Sequence, residues 1–302
     1  MSKLVFVFCW FYCGTILSEA QELSPRAFWP SPRGTKVAVF GYSYVWGETL
    51  MDPIIPMSGV NSRINTGFLA YMHNFSFFGR TTNVVVELPY NWGLVEGYLM
   101  NDPAQKYISG FSDLGITLAT NLLGAPSMAP GEFQELRNNP HILLGASLKV
   151  IVPTGQYYKN KLINVGANRW AFRTKIGTLI PLKPKWILEI ESGLWWFTRD
   201  DDFIMGTREQ KPIFSVEIHL VKRFKPGLWM SVEANFYTGG RQIIGGDQLI
   251  DIQRNSKIGT TVVAPFLKRH SVKLGYSKSI IAEYGADFDQ LLITYQVLLN
   301  KL

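Results

Sequence analysis

Residues 152–177, VPTGQYYKNKLINVGANRWAFRTKIG, change character twice. The chain leaves an apolar run through Pro153-Thr154-Gly155, crosses a polar, basic segment, and re-enters a regular alternation at Arg169. From there Trp170, Phe172, Thr174, Ile176 and Ile180 share one parity, while Arg169, Arg173 and Lys175 share the other. Successive side chains of a strand point to opposite faces, so this is a strand with one greasy side and one ionic side. In a soluble barrel or sandwich the greasy side would face a core; in a membrane it would face lipid.

The same period of two recurs along the chain. In RTTNVVVELPYNW (80–92), Thr82, Val84, Val86, Leu88, Tyr90 and Trp92 alternate with Thr81, Asn83, Val85, Glu87 and Pro89. FSVEIHLVK (214–222) and LWMSVEANFYTGG (228–240) repeat it. About twelve strands are expected, near 37–47, 63–78, 80–92, 110–122, 141–153, 168–181, 185–198, 211–222, 227–238, 256–266, 269–279 and 288–299. Several exceed the ~5–6 residues usual in globular sheets and reach the ~9–11 that cross a bilayer.

Short and long connections alternate. FFGR (77–80), PLKPK (181–185), KRFKPG (222–227) and FLKRH (266–270) are tight turns; 48–62, 93–109, 154–167, 199–210, 239–255 and 280–287 are longer links. Outer-membrane barrels have tight periplasmic turns and longer external loops. The link 124–140 breaks the rule by being long, and Pro130, Glu132 and Glu135 in it suit the first turn of a short helix. Unpaired backbone groups are intolerable in lipid, so a spanning sheet must close on itself. The expected fold is all-β: a closed antiparallel transmembrane barrel of about 12 strands, spanning 21–302 as one domain. Trp46, Trp92, Trp170, Trp186, Trp196, Trp229 and Tyr237 near strand ends fit interfacial girdles.

Residues 1–20 read as a signal peptide: Lys3, the apolar run Leu4–Cys13, and Ser18 and Ala20 before a cut ahead of Gln21. The run is shorter than the ~20 apolar residues of a spanning helix. Both cysteines, Cys9 and Cys13, lie there, so the mature chain would have no disulfide, thiol nucleophile or cysteine metal site. The net charge of +7 is unaffected by the cut, and its cations are dispersed rather than blocked, which gives no support to a nucleic-acid partner. The expected destination is the outer membrane of a Gram-negative type cell, with outer-membrane lipid and lipopolysaccharide as surroundings.

PTGQYYKNKLINVGANRW resembles a segment of the outer-membrane barrel family grouped under the MetA pathway of phenol degradation. The likeness extends through GFSDLGITLATNLLG, TREQKPIFSVEIHL, WMSVEANFYTGG, RHSVKLGYSKS and DFDQLLITYQ, roughly residues 35–300. It implies an outer-membrane barrel and a role in moving small, often aromatic, molecules into the cell; it supplies no catalytic residue. Such barrels usually end on a terminal aromatic recognised by the barrel-assembly machinery. Here Leu291, Ile293, Tyr295, Val297 and Leu299 alternate, but the chain continues through Asn300 and Lys301 to Leu302.

The residues expected to face the lumen are Glu87, Asp113, Lys149, Arg173, Lys175, Glu189, Glu191, Glu217, His219, Glu233 and Lys273. A basic arc beside an acidic arc would set up a transverse field for a small-solute channel. The competing reading is that these charges pair and plug the lumen, giving a closed structural or adhesive surface protein. A barrel-wall lipid hydrolase would need a His-x-Ser pair on one strand face, and none of His73, His141, His219 or His270 has Ser two residues on. The expectation is therefore no enzyme and no cofactor. The scattered histidines make no metal site, and Asp200, Asp201 and Asp202 read as a solvated acidic loop tip rather than a Ca²⁺ site.

Overall fold

The computed structural model describes residues 23–300 apart from 53, 54, 56 and 184; the expected signal peptide lies outside the described residues. Long strands dominate: β1 (Lys36–Leu50), β2 (Met57–Phe77), β3 (Arg80–Leu99), β4 (Asp102–Phe111), β5 (Leu114–Leu123), β6 (Leu143–Val152), β7 (Ala171–Lys183) and β8 (Trp186–Phe197). They continue with β9 (Asp200–Phe203), β10 (Gly206–Gln210), β11 (Ile213–Lys225), β12 (Leu228–Gly239), β13 (Gln242–Ile244), β14 (Asp247–Gln248), β15 (Gln253–Leu267), β16 (His270–Ile281) and β17 (Gly285–Leu298). One helix, α1 (Pro130–Asn138), follows β5.

Every pairing in the large sheet is antiparallel. The order runs β2-β1-β17-β16-β15-β12-β11-β8-β7-β6-β5-β3, and β2 pairs with β3 to close a twelve-strand barrel. Along the upper half of β3, from Tyr90 to Leu99, the partner is β4; along the lower half, Thr82–Glu87, it is β5. Thus β4 and β5 occupy one barrel position, interrupted at Ser112-Asp113.

The faces are inside out relative to a soluble protein. Phe40, Leu69, Leu88, Ile176, Ile218, Val232, Phe236, Ile258 and Leu291 are exposed on the outer wall, whereas Arg173, Lys175, Glu189, Glu191, Glu217, His219 and Glu233 are buried within it. Charged groups stay buried only when paired or solvated. A large exposed apolar band around a polar interior is the signature of a wall that faces lipid.

Four links differ from the expectation; the one at 48–62 is largely strand, since β1 runs to Leu50 and β2 begins at Met57. The 93–109 link is mostly strand: β3 runs on to Leu99 and β4 begins at Asp102, turning at Met100 and Asn101. With 21 and 20 residues in β2 and β3, this hairpin is about 65 Å along the chain at ~3.3 Å per residue. Even tilted at ~45°, it reaches well beyond a ~25 Å apolar band. The 199–210 and 239–255 links fold into a separate four-stranded sheet, β14-β13-β10-β9. Trp229 and Tyr237 point inward and are buried, so they do not belong to the aromatic girdle; the Tyr237 hydroxyl accepts from Asn255 Nδ2 at 3.1 Å.

Helix α1 accounts for the long 124–140 link. Pro130 starts it, the Glu132 carboxylate accepts the Ala129 N–H at 2.6 Å, and Leu136 is buried against the barrel end.

Candidate functional site

The interior divides into three levels. At the short-turn end, the segment before β1 enters the barrel. Phe28 is buried and its carbonyl accepts from Asn121 Nδ2 at 2.8 Å; the Arg26 N–H donates to Glu189 Oε2 at 2.7 Å. Phe28 packs with Met128, Leu136, Leu143, Leu179 and Ile187, an apolar cluster shared by the N-terminal segment, α1 and the wall.

Above it lies an ionic belt. Gly177, Glu191 and Glu217 are successive register partners across β7, β8 and β11, and Glu189 pairs with His219 one step below. Two carboxylates directly opposed would repel. Cations from β7 answer them: Arg173 bonds Glu217, and the Lys175 ammonium bonds Glu191 and also Glu217 at 3.2 Å. Glu191, Glu217 and His219 offer ligand atoms within 4.8 Å of one another, but the Lys175 ammonium already supplies the positive charge that a metal would. The predicted arcs therefore do not face each other across open water on this side of the barrel; they interlock.

The other expected lumen residues are placed as follows. Lys149 stands 3.6 Å from Glu87. Glu233 is buried and accepts from the Ser231 hydroxyl at 2.6 Å. Lys273 is half-buried on β16, between Val263 and Thr294 in register. Asp113 is not on a strand; it sits in the break between β4 and β5. Its carboxylate accepts the Gly155 N–H at 2.8 Å and the Ala167 N–H at 2.7 Å. Burial raises the Asp113 pKa, against the opposing pull of the Ala167, Gly155 and Thr154 amides.

That staple explains the 152–177 motif. The β6–β7 connection folds inward, and Gly155 and Gly166 cross so closely that a Cβ on Gly155 would stand 2.8 Å from the Gly166 Cα. Ile163, Leu162 and Val165 then join Val45, Ile64, Val95 and Phe288 in an apolar cluster at the long-loop end. Asp200 is buried, which corrects its reading as a solvated tip: it accepts from the Tyr157 hydroxyl at 2.8 Å and from Asn168 Nδ2 at 2.7 Å. Burial first, then the Asp200 hydrogen bond and charge, push the Tyr157 phenol pKa up. Asp201 remains exposed and pairs with Arg199.

Beneath these loops is a cavity of about 170 Å³. Ile151, Ala171, Trp195, Phe197, Phe203 and Ile213 form its apolar wall; Asp113, Arg169, Arg208, Gln210 and Gln242 supply polar groups. Arg169 bonds Gln210 Oε1 and lies over the Phe197 ring, 4.5 Å from its centroid. Burial, reinforced by Arg208, holds its guanidinium well below the ordinary arginine range. Trp195 is fully buried, and Arg173 of the belt lies 5.4 Å from its ring centroid, so the indole separates cavity from ions. A few placed polar groups in an aromatic wall is the usual composition of a small-molecule site.

Sequence reasoning missed Arg26, Phe28, Trp195, Arg208 and the buried Lys257. The available signal was inward-facing glycine: Gly145, Gly177 and Gly259 leave room that Phe28 and Leu23 fill.

Closed wall, apolar exterior and ionic interior together define an outer-membrane β-barrel. More particularly, residues 36–294 match the family model described as "Putative MetA-pathway of phenol degradation", and the chain belongs to that family. The COG4313 outer membrane channel from Pseudomonas putida F1 has the same fold, with 19% identity and a TM-score of 0.74 over 92% of this chain and 100% of that one. The β domain of the Bordetella autotransporter BrkA (10% identity, TM-score 0.49, 87% and 98% covered) and the NanC porin (5%, 0.48, 87% and 100%) are more distant barrels. No curated protein matches the chain.

Proposed function

We propose that this protein is an outer-membrane channel for small, weakly polar aromatic solutes, exported by its N-terminal signal peptide and inserted by the barrel-assembly machinery among outer-membrane lipid and lipopolysaccharide. The observation that carries this reading is the cavity under the external loops. Trp195, Phe197 and Phe203 offer ring faces, and Arg169 offers its Nη1, which has no acceptor among the described residues, to a hydroxyl or carbonyl. The family's description points to the same solute class.

The ionic belt on β7, β8 and β11 and the Phe28 ring beside it narrow the lumen on that side, and in this reading the N-terminal segment moves to let a solute pass. The lumen charges Glu87, Lys149, Arg173, Lys175, Glu191 and Glu217 act as a gate that keeps ions and sugars out.

Swelling of liposomes containing the refolded protein tests this. Small neutral aromatics should enter faster than sugars or amino acids of similar size. Equal rates, or entry of none, would remove the transport reading.

A further inference from the structure

A second cavity, of about 180 Å³, lies at the short-turn end where the N-terminal segment, α1 and the β11–β12 turn meet. Arg26, Arg137 and Arg223 converge on it with Lys225 beside them, and Trp29, Phe133 and Trp229 complete much of the wall; no carboxylate lines it among the described residues. The Arg26 guanidinium is held between indoles, 4.8 Å from the Trp29 centroid and 5.0 Å from that of Trp229. Arg223 lies 5.1 Å from Trp29 and donates through Nη1 to the Arg137 carbonyl at 2.9 Å.

Two features show that the cations are built in rather than incidental. Arg26 adopts a left-handed backbone, φ +65°, which a non-glycine residue takes up only against a steric cost. Its Nε is buried and has no hydrogen-bond acceptor among the described residues. Burial pushes the Arg26 pKa down to about 10; Glu189, which takes its backbone N–H, opposes that, and the charges of Arg223 and Arg137 add to it. Like charges gathered around one space attract an anion. Guanidinium forks match a carboxylate, and the indole and phenyl walls match a ring. The volume admits one ring and its acid group rather than a lipid chain.

We propose that this cavity binds an aromatic monocarboxylate, whose acid group bridges Arg26 of the N-terminal segment and Arg137 of α1. The ligand thereby ties that segment to the barrel end. This site stands whether or not the barrel carries a solute.

Isothermal titration of the full-length protein in detergent, with benzoate as the probe, tests it. Phenol and inorganic phosphate are titrated separately, and each titration is repeated with Arg137→Gln and with Arg199→Gln at the opposite rim. Comparison with the variants isolates this site from any binding in the outer cavity. Benzoate should bind with about one equivalent, lose about ten-fold in affinity or more in Arg137→Gln, and be unchanged in Arg199→Gln. Phenol and phosphate should show no component sensitive to Arg137. The proposal is overturned if benzoate binding is absent or insensitive to Arg137→Gln in a folded variant, or if an Arg137-sensitive component appears as strongly with phenol (an apolar pocket only) or phosphate (a simple anion site).

Discussion

The Phe28 ring occupies the space that a side chain on Gly177 would need: a Cβ there would lie 2.6 Å from the Phe28 Cε2. Gly145, the register partner of Gly177 on β6, makes the other half of the notch, with a Cβ 2.4 Å from the same ring. Gly177→Val suits a strand by propensity, since β-branched residues favour strands, but it cannot coexist with Phe28 in place, and it also makes the Glu191 side chain, whose Cγ a Cβ would meet at 2.8 Å, shift aside. The variant should fold and release the N-terminal segment. Limited trypsin digestion reads this out: cutting at Arg26 and Arg33 should become several-fold faster than in the wild type, and Phe28→Ala should behave alike. Unchanged protection in Gly177→Val would mean that Phe28 does not hold the segment.

The ionic belt makes a coupled prediction. Arg173 and Glu217 are 3% and 1% exposed, so neither charge can fall back on solvent. Glu217→Gln leaves Arg173 without its carboxylate and Lys175 with Glu191 alone, a loss of about 3–5 kcal/mol for a broken buried pair. Arg173→Gln with Glu217→Gln should cost less than the sum of the two singles, because both charges leave together. Urea unfolding in vesicles measures the stability cycle. Planar-bilayer recordings measure its consequence, a rise in ion current in the double variant over a wild type that conducts little. Additive losses would show that the two residues are not coupled.

The strands and their faces were legible because lipid on one side and ions on the other force a strict alternation, sustained over strands long enough to cross a bilayer. On β7 the inner parity, Arg173 and Lys175, and the outer parity, Phe172, Thr174 and Ile176, could be assigned from sequence alone, and the structure turns them so. The extension of β3 past Trp92 was not legible. Its Gly93 and Gly97 read as loop, yet Gly93 is required there because a Cβ would meet the Arg63 carbonyl of β2 at 2.1 Å. What fills the barrel was also hidden, since Arg26 and Glu189 are 163 residues apart and no local pattern joins them. Asp113 looked like one more lumen charge; its work as a staple depends on two amides from a loop more than forty residues away.

The staple carries a pH prediction. Burial raises the Asp113 pKa, so the folded protein holds that proton more tightly than the unfolded chain does. The corresponding stability is complete below the ordinary aspartate value of about 3.9 and is lost as pH rises through the folded value. Acidifying from pH 7 toward pH 4 should therefore leave the 154–167 loop at least as well protected from chymotrypsin at Tyr157 and Tyr158. Asp113→Asn keeps the shape but sets its NH₂ or a single carbonyl against two N–H donors, and should expose the loop by about 1–3 kcal/mol at any pH. Protection that falls on acidification in the wild type, and not in Asp113→Asn, would reverse the assigned sign.

The outer cavity can be tested by filling it. Ala171 is buried on its wall, on the inner face of the first residue of β7 and opposite Phe197 in register. Ala171→Phe adds a ring where the solute ring is expected, at about 1–3 kcal/mol of overpacking in a barrel large enough to absorb it. The ionic belt below, separated by Trp195, is left intact. Entry of a small neutral aromatic into proteoliposomes should fall several-fold, while residual ion conductance and the migration of the unheated barrel on a gel stay as in the wild type. The opposite change, Phe197→Ala, widens the site and should relax its discrimination, admitting two-ring solutes that the wild type excludes. If Ala171→Phe folds and its aromatic entry rate equals that of the wild type, solutes do not pass through this cavity, and the transport path must lie elsewhere on the barrel.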